Sequence, residues 1–339
     1  MVAGGRIRNP SRHAGIQAVG IVRQMNTNLR FGLACLLILG AGILAALTLR
    51  SEYIFFACYT VLQFIVLSVG WNILGGNAGY INFGTAAFFA LGAYTTVFLH
   101  KAFAAPFWLS LIAAGAISGL AGAGLAYLTV RLRGVYFAIA TLAMGIVLHT
   151  FIVNWDFVGG ARGMIVMPSE EFLFRGSANK SLFLIMLGLA LGAIWISRRI
   201  QYSRIGRGLA AVRDDEVAAE CSGVPTLRLK VIAASLSGML IGLAGAPYPL
   251  FATYVDPASA FSLSLAINSL AMPLIGGTGS WIGPVVGAIL IAGIQVITTV
   301  TISSELNLLI VGVLLIVFVT IAPKGIVGWF KAADRKRFA

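Results

Sequence analysis

The sequence predicts an all-α polytopic membrane protein. Hydrophobic residues make up 59% of the 339 residues and charged residues only 10%, whereas soluble domains carry about 25% charged residues. Apolar runs of about 18 to 22 residues recur along the chain, and each is long enough to cross the hydrocarbon core of a bilayer as a helix. The runs are too continuously apolar for the alternating pattern of an outer-membrane β-barrel. Helices are therefore predicted, because a helix satisfies its own backbone hydrogen bonds in lipid.

About ten transmembrane helices follow from these runs, with ends placed to within a few residues. They span residues 31–49, 53–74, 85–99, 107–130, 135–153, 181–197, 231–250, 261–275, 284–302 and 306–322. A count of about eight fits the same charge distribution, because removing two spans together leaves the other segments on the same sides. In either case residues 31–322 form the transmembrane domain.

The charged residues indicate how the helices are oriented. Ser197–Lys230 is the one long charged insert between apolar runs, and it holds seven of the 24 Lys and Arg residues and four of the 11 acids. With this insert in the cytoplasm and the spans alternating, 19 Lys and Arg residues lie inside and five outside, as the positive-inside rule requires. The basic tails at 1–30 and 323–339 and the loop at 198–230 are then cytoplasmic, and the segment 154–180 is external.

The basic N-terminal tail followed by an apolar run is also similar to a secretory signal peptide. The apolar run continues for about 19 residues without a clear small-residue cleavage site. An uncleaved first span is therefore predicted. Met25 is an alternative start of the chain.

The sequence does not contain the usual motifs of an enzyme, a metal site or an ATP-binding site. No GxSxG, HExxH or GxxxxGK[ST] motif occurs, and the three cysteines show no CxxC or Cys/His spacing. No catalytic, metal-binding or cofactor-binding residue is therefore assigned. The net charge of +13 is explained by the positive-inside rule rather than by nucleic acid. The spans carry essentially no Asp or Glu, which argues against proton coupling, with His149 as the one candidate.

Two glycine-rich connections are the candidate path for a solute. They are GGNAGYINFG at 75–84 and GGTGSWIG at 276–283, and they lie on the same side in the predicted topology. Duplicated halves with broken helices are common in transporters, although two such turns also arise by chance. Broken helices expose backbone groups that can line a polar path, whereas polar residues near them can equally be helix caps. The candidate path residues are Asn72, Asn77, Tyr80, Asn82, Thr85 and Asn268.

Four predicted spans contain a GxxxG motif, which lets helices approach closely. The pairs are Gly115/Gly119, Gly188/Gly192, Gly238/Gly242 and Gly283/Gly287. Glycine-rich spans produce this motif often, so most of the pairs are expected to pack helices within the subunit rather than between subunits.

The charged insert is predicted to contain a short helix. Asp214 or Asp215 suits the N-cap, and Glu216 in the first turn complements the helix dipole. Gly223 suits the left-handed position after the helix, and a proline follows as a stop. A helix of about two turns, from about 215 to 222, is marginal alone in water and needs a docking partner. The alternative is an ordinary solvated loop.

The insert and four further stretches resemble one protein family. GRGLAAVRDDEVAAECSG at 206–223 resembles the EAA-type coupling loop of bacterial ABC importer permeases. The chain from Tyr53 onward is similar to the branched-chain amino acid permease family of LivM type. In the general EAA pattern the two alanines follow the glutamate directly, whereas here Val217 stands between Glu216 and the alanines. The other matching stretches are Gly79–Thr95, Arg131–Met164, Leu236–Tyr248 and Leu274–Ala288.

The resemblance implies a multi-pass permease of the bacterial cytoplasmic (inner) membrane. Its implied partners are a second homologous permease subunit, two cytoplasmic ABC ATPases that use the ATP, and a periplasmic substrate-binding protein, for which the external segment is a docking surface. This chain itself would hold no cofactor. The residues implied in ATPase coupling are Asp215, Glu216, Ala218, Ala219, Glu220 and Gly223.

Three functions remain open at the level of the sequence. The family handles leucine, isoleucine and valine, and its relatives handle urea or short amides. A self-sufficient passive channel for a small solute also suits glycine-rich breaks with few charges in the membrane. The long basic insert favours the importer, because a channel does not need it. The third function is a scaffold or assembly subunit.

Overall fold

We analysed a computed structural model of the chain, which describes residues 10–129, 132, 134–167, 178–301, 306–321 and 325–329. The chain divides into two units, residues 1–50 and 51–339. Most of the predicted C-terminal tail, and Glu170 and Glu171 of the predicted external segment, lie outside the described residues. The helices are α1 (Pro10–Thr48), α2 (Glu52–Ala78), α3 (Thr85–Phe103), α4 (Phe107–Leu128), α5 (Val135–Val153), α6 (Ala178–Tyr202), α7 (Arg204–Asp214), α8 (Glu216–Cys221), α9 (Thr226–Gly245), α10 (Tyr248–Ala252), α11 (Pro257–Ala260), α12 (Leu263–Gly276), α13 (Ile282–Thr301) and α14 (Leu306–Ile321).

The predicted all-α polytopic membrane fold is confirmed. Within the described ranges, nine helical segments are long and apolar enough to cross a membrane. They are the apolar part of α1, then α2 to α6, the combined α9–α10 and α11–α12, and α13. The tenth predicted span, 306–322, corresponds to α14, of which the structure describes 16 residues.

The first helix begins well before the predicted first span. α1 has 39 residues, and its apolar part, Leu29–Thr48, matches the predicted span at 31–49. Pro10 is the first described residue, and α1 runs without a break from there to Thr48. No further proline interrupts the chain before Arg50, so the helix continues from the basic tail into the apolar run.

α2 is the central helix of the second unit. Every residue from Ile65 to Leu74 is buried, and α2 packs against α6, α9, α12 and α13. A helix that is apolar on all sides belongs inside a bundle. The carboxyl end of α2 therefore places the first glycine-rich connection, 75–84, within the protein.

Glycine allows α3, α4 and α9 to cross closely. A Cβ atom on Gly238 of α9 would lie 2.5 Å from the carbonyl oxygen of Ser118 on α4. A Cβ atom on Gly92 of α3 would lie 2.0 Å from the carbonyl oxygen of Gly242 on α9. The GxxxG pair of α4 faces the same helix. The crossing therefore depends on residues without side chains.

The two remaining GxxxG pairs behave differently. In α13, a Cβ atom on Gly287 would lie 1.8 Å from the carbonyl oxygen of Met272 on α12, so Gly283/Gly287 also packs within the chain. Cβ atoms on Gly188 and Gly192 of α6 would meet no described atom within 4 Å. Packing within the subunit is thus confirmed for three of the four pairs.

The described part of the predicted external segment forms a small cap. Two strands, β1 (Met164–Ile165) and β2 (Tyr254–Val255), pair antiparallel. The amide of Val166 donates to the carbonyl of Thr253 at 2.8 Å, and Lys101 Nζ donates to the carbonyl of Phe157 at 2.7 Å. This cap lies at the end of α6 and α9 that is remote from the insert. We call the two ends of the bundle the insert side and the opposite side.

Candidate functional site

The charged insert is almost entirely helical. α6 continues into it, and Ser203 then N-caps α7, its Oγ accepting a hydrogen bond from the amide of Gly206 at 3.2 Å. α7 buries Leu209 and Val212 and exposes its charged residues. α7 has little signal in the sequence, because its buried apolar face consists of only two residues, Leu209 and Val212.

The predicted short helix is confirmed as α8. Asp215, not Asp214, is its N-cap, and Asp215 Oδ1 accepts hydrogen bonds from the amides of Val217 at 2.9 Å and Ala218 at 3.0 Å. Gly223 adopts the left-handed backbone conformation, with φ 80°, as predicted for the residue after the helix. α8 therefore has defined ends, although it is only six residues long.

α8 turns some of its predicted coupling residues outward and others inward. Ala219 is buried, and the Glu216 side chain is only 11% exposed. Val217, which was not among the predicted coupling residues, is 52% exposed. The predicted coupling residues on the exposed face are Asp215, Ala218, Glu220 and Gly223. Whether any of the six contacts an ATPase remains a prediction.

Glu216 connects α8 to two other elements. Its Oε1 forms an ion pair with Lys230 Nζ on α9, and its Oε2 accepts a hydrogen bond from the Tyr80 hydroxyl at 2.5 Å. Lys230 Nζ also lies 4.8 Å from the centroid of the Tyr80 ring, within the range of a cation–π contact. Removing one partner of a buried ion pair typically costs about 3–5 kcal/mol. The buried triad of Glu216, Lys230 and Tyr80 therefore fixes α8 to the bundle.

The end of α7 contacts the first glycine-rich connection. Arg213 Nη1 donates to the carbonyl of Gly76 at 3.4 Å. Gly79 has φ 79°, and a Cβ atom there would lie 2.8 Å from Arg213 Cγ. Glycine is required at this position both by the left-handed backbone and by the approach of the arginine.

The end of α6 contacts the second glycine-rich connection, 276–283. Gln201 Nε2 donates to the carbonyl of Gly279 at 3.3 Å, and Gln201 Oε1 accepts from the amide of Trp281 at 2.9 Å. The Arg198 guanidinium lies 5.6 Å from the centroid of the Trp281 ring. The insert therefore contacts both connections.

The two glycine-rich connections also meet each other. A Cβ atom on Gly76 would lie 3.0 Å from the carbonyl oxygen of Thr278. Their predicted location on the same side of the bundle is consistent with this contact. The insert and both connections thus form one continuous structure on the insert side.

Most candidate path residues surround the first connection. Asn72, Asn82 and Thr85 are buried, and each has a polar side-chain atom without a hydrogen-bond partner among the described atoms. Asn77 is half-buried. Buried polar atoms are normally paired with protein or water, and the unpaired ones here are Asn72 Oδ1, Asn82 Nδ2 and Thr85 Oγ1. The sixth, Asn268, accepts a hydrogen bond from Gln295 at 3.2 Å.

A cavity of about 360 Å³ lies between α3, α5 and the α11–α12 segment. It is lined mainly by apolar side chains, including Phe83 of the first connection and Ile146 of α5. His149 also lines it, with its ring 5.4 Å from that of Phe261. In the part of the chain that the structure describes, no three His, Cys, Asp or Glu side chains are grouped as metal ligands. The cavity can hold a small apolar group.

Sequence reasoning missed several residues that organise this site. The sequence predicts Lys230 only as one of the cytoplasmic charges of the insert, and it predicts no role for Gln201 or Trp281. Lys230 is 14 residues from Glu216 and 150 from Tyr80, so no helical spacing relates the three. A lysine at the start of a long apolar helix was the one available signal, because a buried lysine needs a partner.

Comparison with known proteins gives a consistent result. The model of the family described as "Branched-chain amino acid transport system / permease component" matches residues 53–319. The permease protein LivM of the high-affinity branched-chain amino acid transport system of Salmonella typhimurium is 27% identical over 288 residues, covering 78% of this chain and 67% of LivM. The LivH permease of the same organism is 24% identical, covering 78% of this chain and 91% of LivH. A probable LivH of Methanocaldococcus jannaschii is 26% identical over 288 residues, which cover 88% of that protein. No solved structure matches the chain.

Proposed function

The chain belongs to the family of branched-chain amino acid transport permease components, and on this premise we propose that it is a membrane-spanning subunit of an ATP-driven importer. The proposed cargo is a branched-chain or related amino acid, because the relatives are named for branched-chain amino acid transport. The apolar cavity beside α3 and α5 suits an aliphatic side chain. Urea and short amides are the alternative cargo, and the unpaired polar atoms of Asn72 and Asn82 suit them.

The observation that carries the proposal is the arrangement of the insert. α8 presents an exposed face away from the bundle, while the insert contacts both glycine-rich connections on its other side. A partner that binds α8 and changes shape would therefore move both connections. ATPase subunits in the cytoplasm are such partners, and the excess of basic residues favours the cytoplasm for the insert side.

Two further partners complete the proposed importer. A second, homologous permease subunit is supported by the similarity of this chain to both LivM and LivH of one organism. A substrate-binding protein would dock on the opposite side, where residues 154–167 and the β1–β2 pair form the cap. The proposed location is the bacterial cytoplasmic membrane.

The exposed face of α8 provides a direct test of ATPase docking. We expect Val217→Arg to reduce co-purification of the ATPase subunits at least tenfold, because a long cation replaces a half-exposed apolar side chain at the proposed contact. The measurement is quantitative recovery of the ATPases with the tagged chain from membranes that contain both.

Ile165→Arg is the matched control for this experiment. Ile165 is also a largely exposed apolar residue, at 64%, but it lies in β1 on the opposite side. ATPase recovery should be unchanged in this variant. Loss of the ATPases from Ile165→Arg with retention in Val217→Arg would contradict both the docking surface and the proposed orientation.

A further inference from the structure

We propose that the buried triad of Glu216, Lys230 and Tyr80 is a positioning device that transmits movement of α8 to the first glycine-rich connection. This inference rests on the proposed function, because it assumes that an ATPase moves α8. In this proposal Glu216 does not touch the ATPase itself. Its carboxylate faces the bundle, and its side chain is only 11% exposed.

The triad joins three separate elements through one carboxylate. Glu216 is the first residue of α8, Lys230 lies in the second turn of α9, and Tyr80 belongs to the first connection. The two carboxylate oxygens contact different partners, Oε1 the ammonium and Oε2 the hydroxyl. Because both contacts are charge-assisted, they are strong and directional. A displacement of α8 therefore acts on Tyr80 directly.

The residues that follow Tyr80 extend these contacts to the bundle. The carbonyl of Asn82 accepts a hydrogen bond from Trp71 Nε1 at 2.8 Å, and Asn82 Oδ1 accepts one from the amide of Gly84 at 2.7 Å. The amide of Phe83 donates to Thr141 Oγ1 on α5 at 3.0 Å. Phe83 also lines the 360 Å³ cavity. A short chain of contacts thus leads from α8 to the cavity wall.

The Tyr80 ring is closely packed, with one small space beside it. A second cavity of about 10 Å³ is bordered by Tyr80, Lys230 and Phe137, which is about the volume that one water molecule needs. The Tyr80 ring also meets Phe137 edge-on, with centroids 5.0 Å apart. Tyr80 is therefore held by close contacts on two sides, with room for at most one water molecule beside it.

Tyr80→Phe tests the device with the smallest change. It removes the hydroxyl that bonds to Glu216 but keeps the ring against Lys230 and Phe137. We expect the assembled complex to retain its ATPase subunits and to hydrolyse ATP within twofold of wild type, while leucine uptake per ATP falls at least tenfold. Tyr202→Phe is the control, since Tyr202 is 60% exposed at the end of α6. Its uptake per ATP should equal that of wild type.

A charge exchange distinguishes the effect of the ion pair from the effects of the two individual side chains. Glu216→Gln and Lys230→Gln should each lower uptake per ATP. The double variant Glu216→Lys with Lys230→Glu should recover at least half of the loss seen with Glu216→Lys alone. Equal loss of ATPase binding, ATP hydrolysis and uptake in Tyr80→Phe would overturn the proposal, because that pattern indicates a static anchor.

Hydrogen exchange of the isolated chain tests the link without an ATPase. We expect exchange at the amides of Phe83 and Gly84 to be at least fivefold faster in Glu216→Gln than in wild type, with exchange in α4 unchanged. Unchanged exchange at both amides would overturn the link. If the wild-type complex shows no ATP-driven uptake, the proposed function fails, and this exchange measurement still decides whether Glu216 positions the connection.

Discussion

Gly92→Val is expected to destabilise the bundle strongly and to lower the yield of folded protein in the membrane. The first atom of any side chain at Gly92 would lie 2.0 Å from the carbonyl oxygen of Gly242, so α3 and α9 would have to separate. Inserting extra methylene groups into a packed core costs about 1–3 kcal/mol, and a clash with backbone falls at or above the upper end of that range. Total stabilities are about 5–15 kcal/mol. The measurement is the thermal unfolding midpoint and the yield of monodisperse protein in detergent.

Gly188→Val is the matched control for the helix crossing. Gly188 is likewise a glycine within a membrane-spanning helix, α6, but a Cβ atom there would meet no described atom within 4 Å. Surface substitutions usually change stability by less than about 0.5 kcal/mol, so yield and midpoint should remain close to wild type. Equal losses from the two variants would show that glycine flexibility, rather than the crossing of α3 and α9, determines stability.

Gly223→Val is expected to lower ATP-driven uptake about 5- to 30-fold while leaving the bundle folded. A Cβ atom at Gly223 would meet nothing within 4 Å, but the backbone φ is 80°. An L-residue in the left-handed region costs roughly 1–2 kcal/mol. This cost lowers the population of the capped helix by a factor of about 5–30. α8 is short and marginal alone, so this change is large for it. Uptake and ATP hydrolysis of the reconstituted complex are the measurements.

Gly223→Asn separates backbone conformation from side-chain size at the same position. Asparagine enters the left-handed region more readily than other non-glycine residues. Uptake should therefore remain well above that of Gly223→Val, because asparagine relieves part of the left-handed strain. Similar uptake in the valine and asparagine variants would contradict a role for the left-handed conformation at the end of α8.

The membrane fold and α8 could be predicted because their signals are local. A span is visible as a run of apolar residues, and α8 is visible from Asp215 before it and Gly223 after it. The predicted boundaries were less accurate where a helix continues beyond the apolar run, as at α1, which is already helical at Pro10. Hydropathy detects the lipid-crossing part of a helix and not its polar extension.

The organisation of the site could not be predicted because it depends on contacts between distant residues. Composition placed Glu216 in a charged insert and the family resemblance implied an ATPase contact, but its carboxylate is directed at Lys230 and Tyr80. Which face of a six-residue helix is buried depends on the elements that it packs against, here α9 and the first connection. The contact between Gly76 and Thr278 likewise cannot be predicted from the two glycine-rich sequences, although both are recognisable as similar segments.

ATP-driven uptake in liposomes tests the central claim most directly. Radiolabelled leucine uptake would be compared between this chain alone and the chain assembled with its second permease, ATPases and binding protein, each with and without ATP inside the vesicles. The proposed importer predicts uptake only in the complete assembly with ATP. Leucine or urea movement through the chain alone, at the same rate with and without ATP, would contradict it and identify a passive channel.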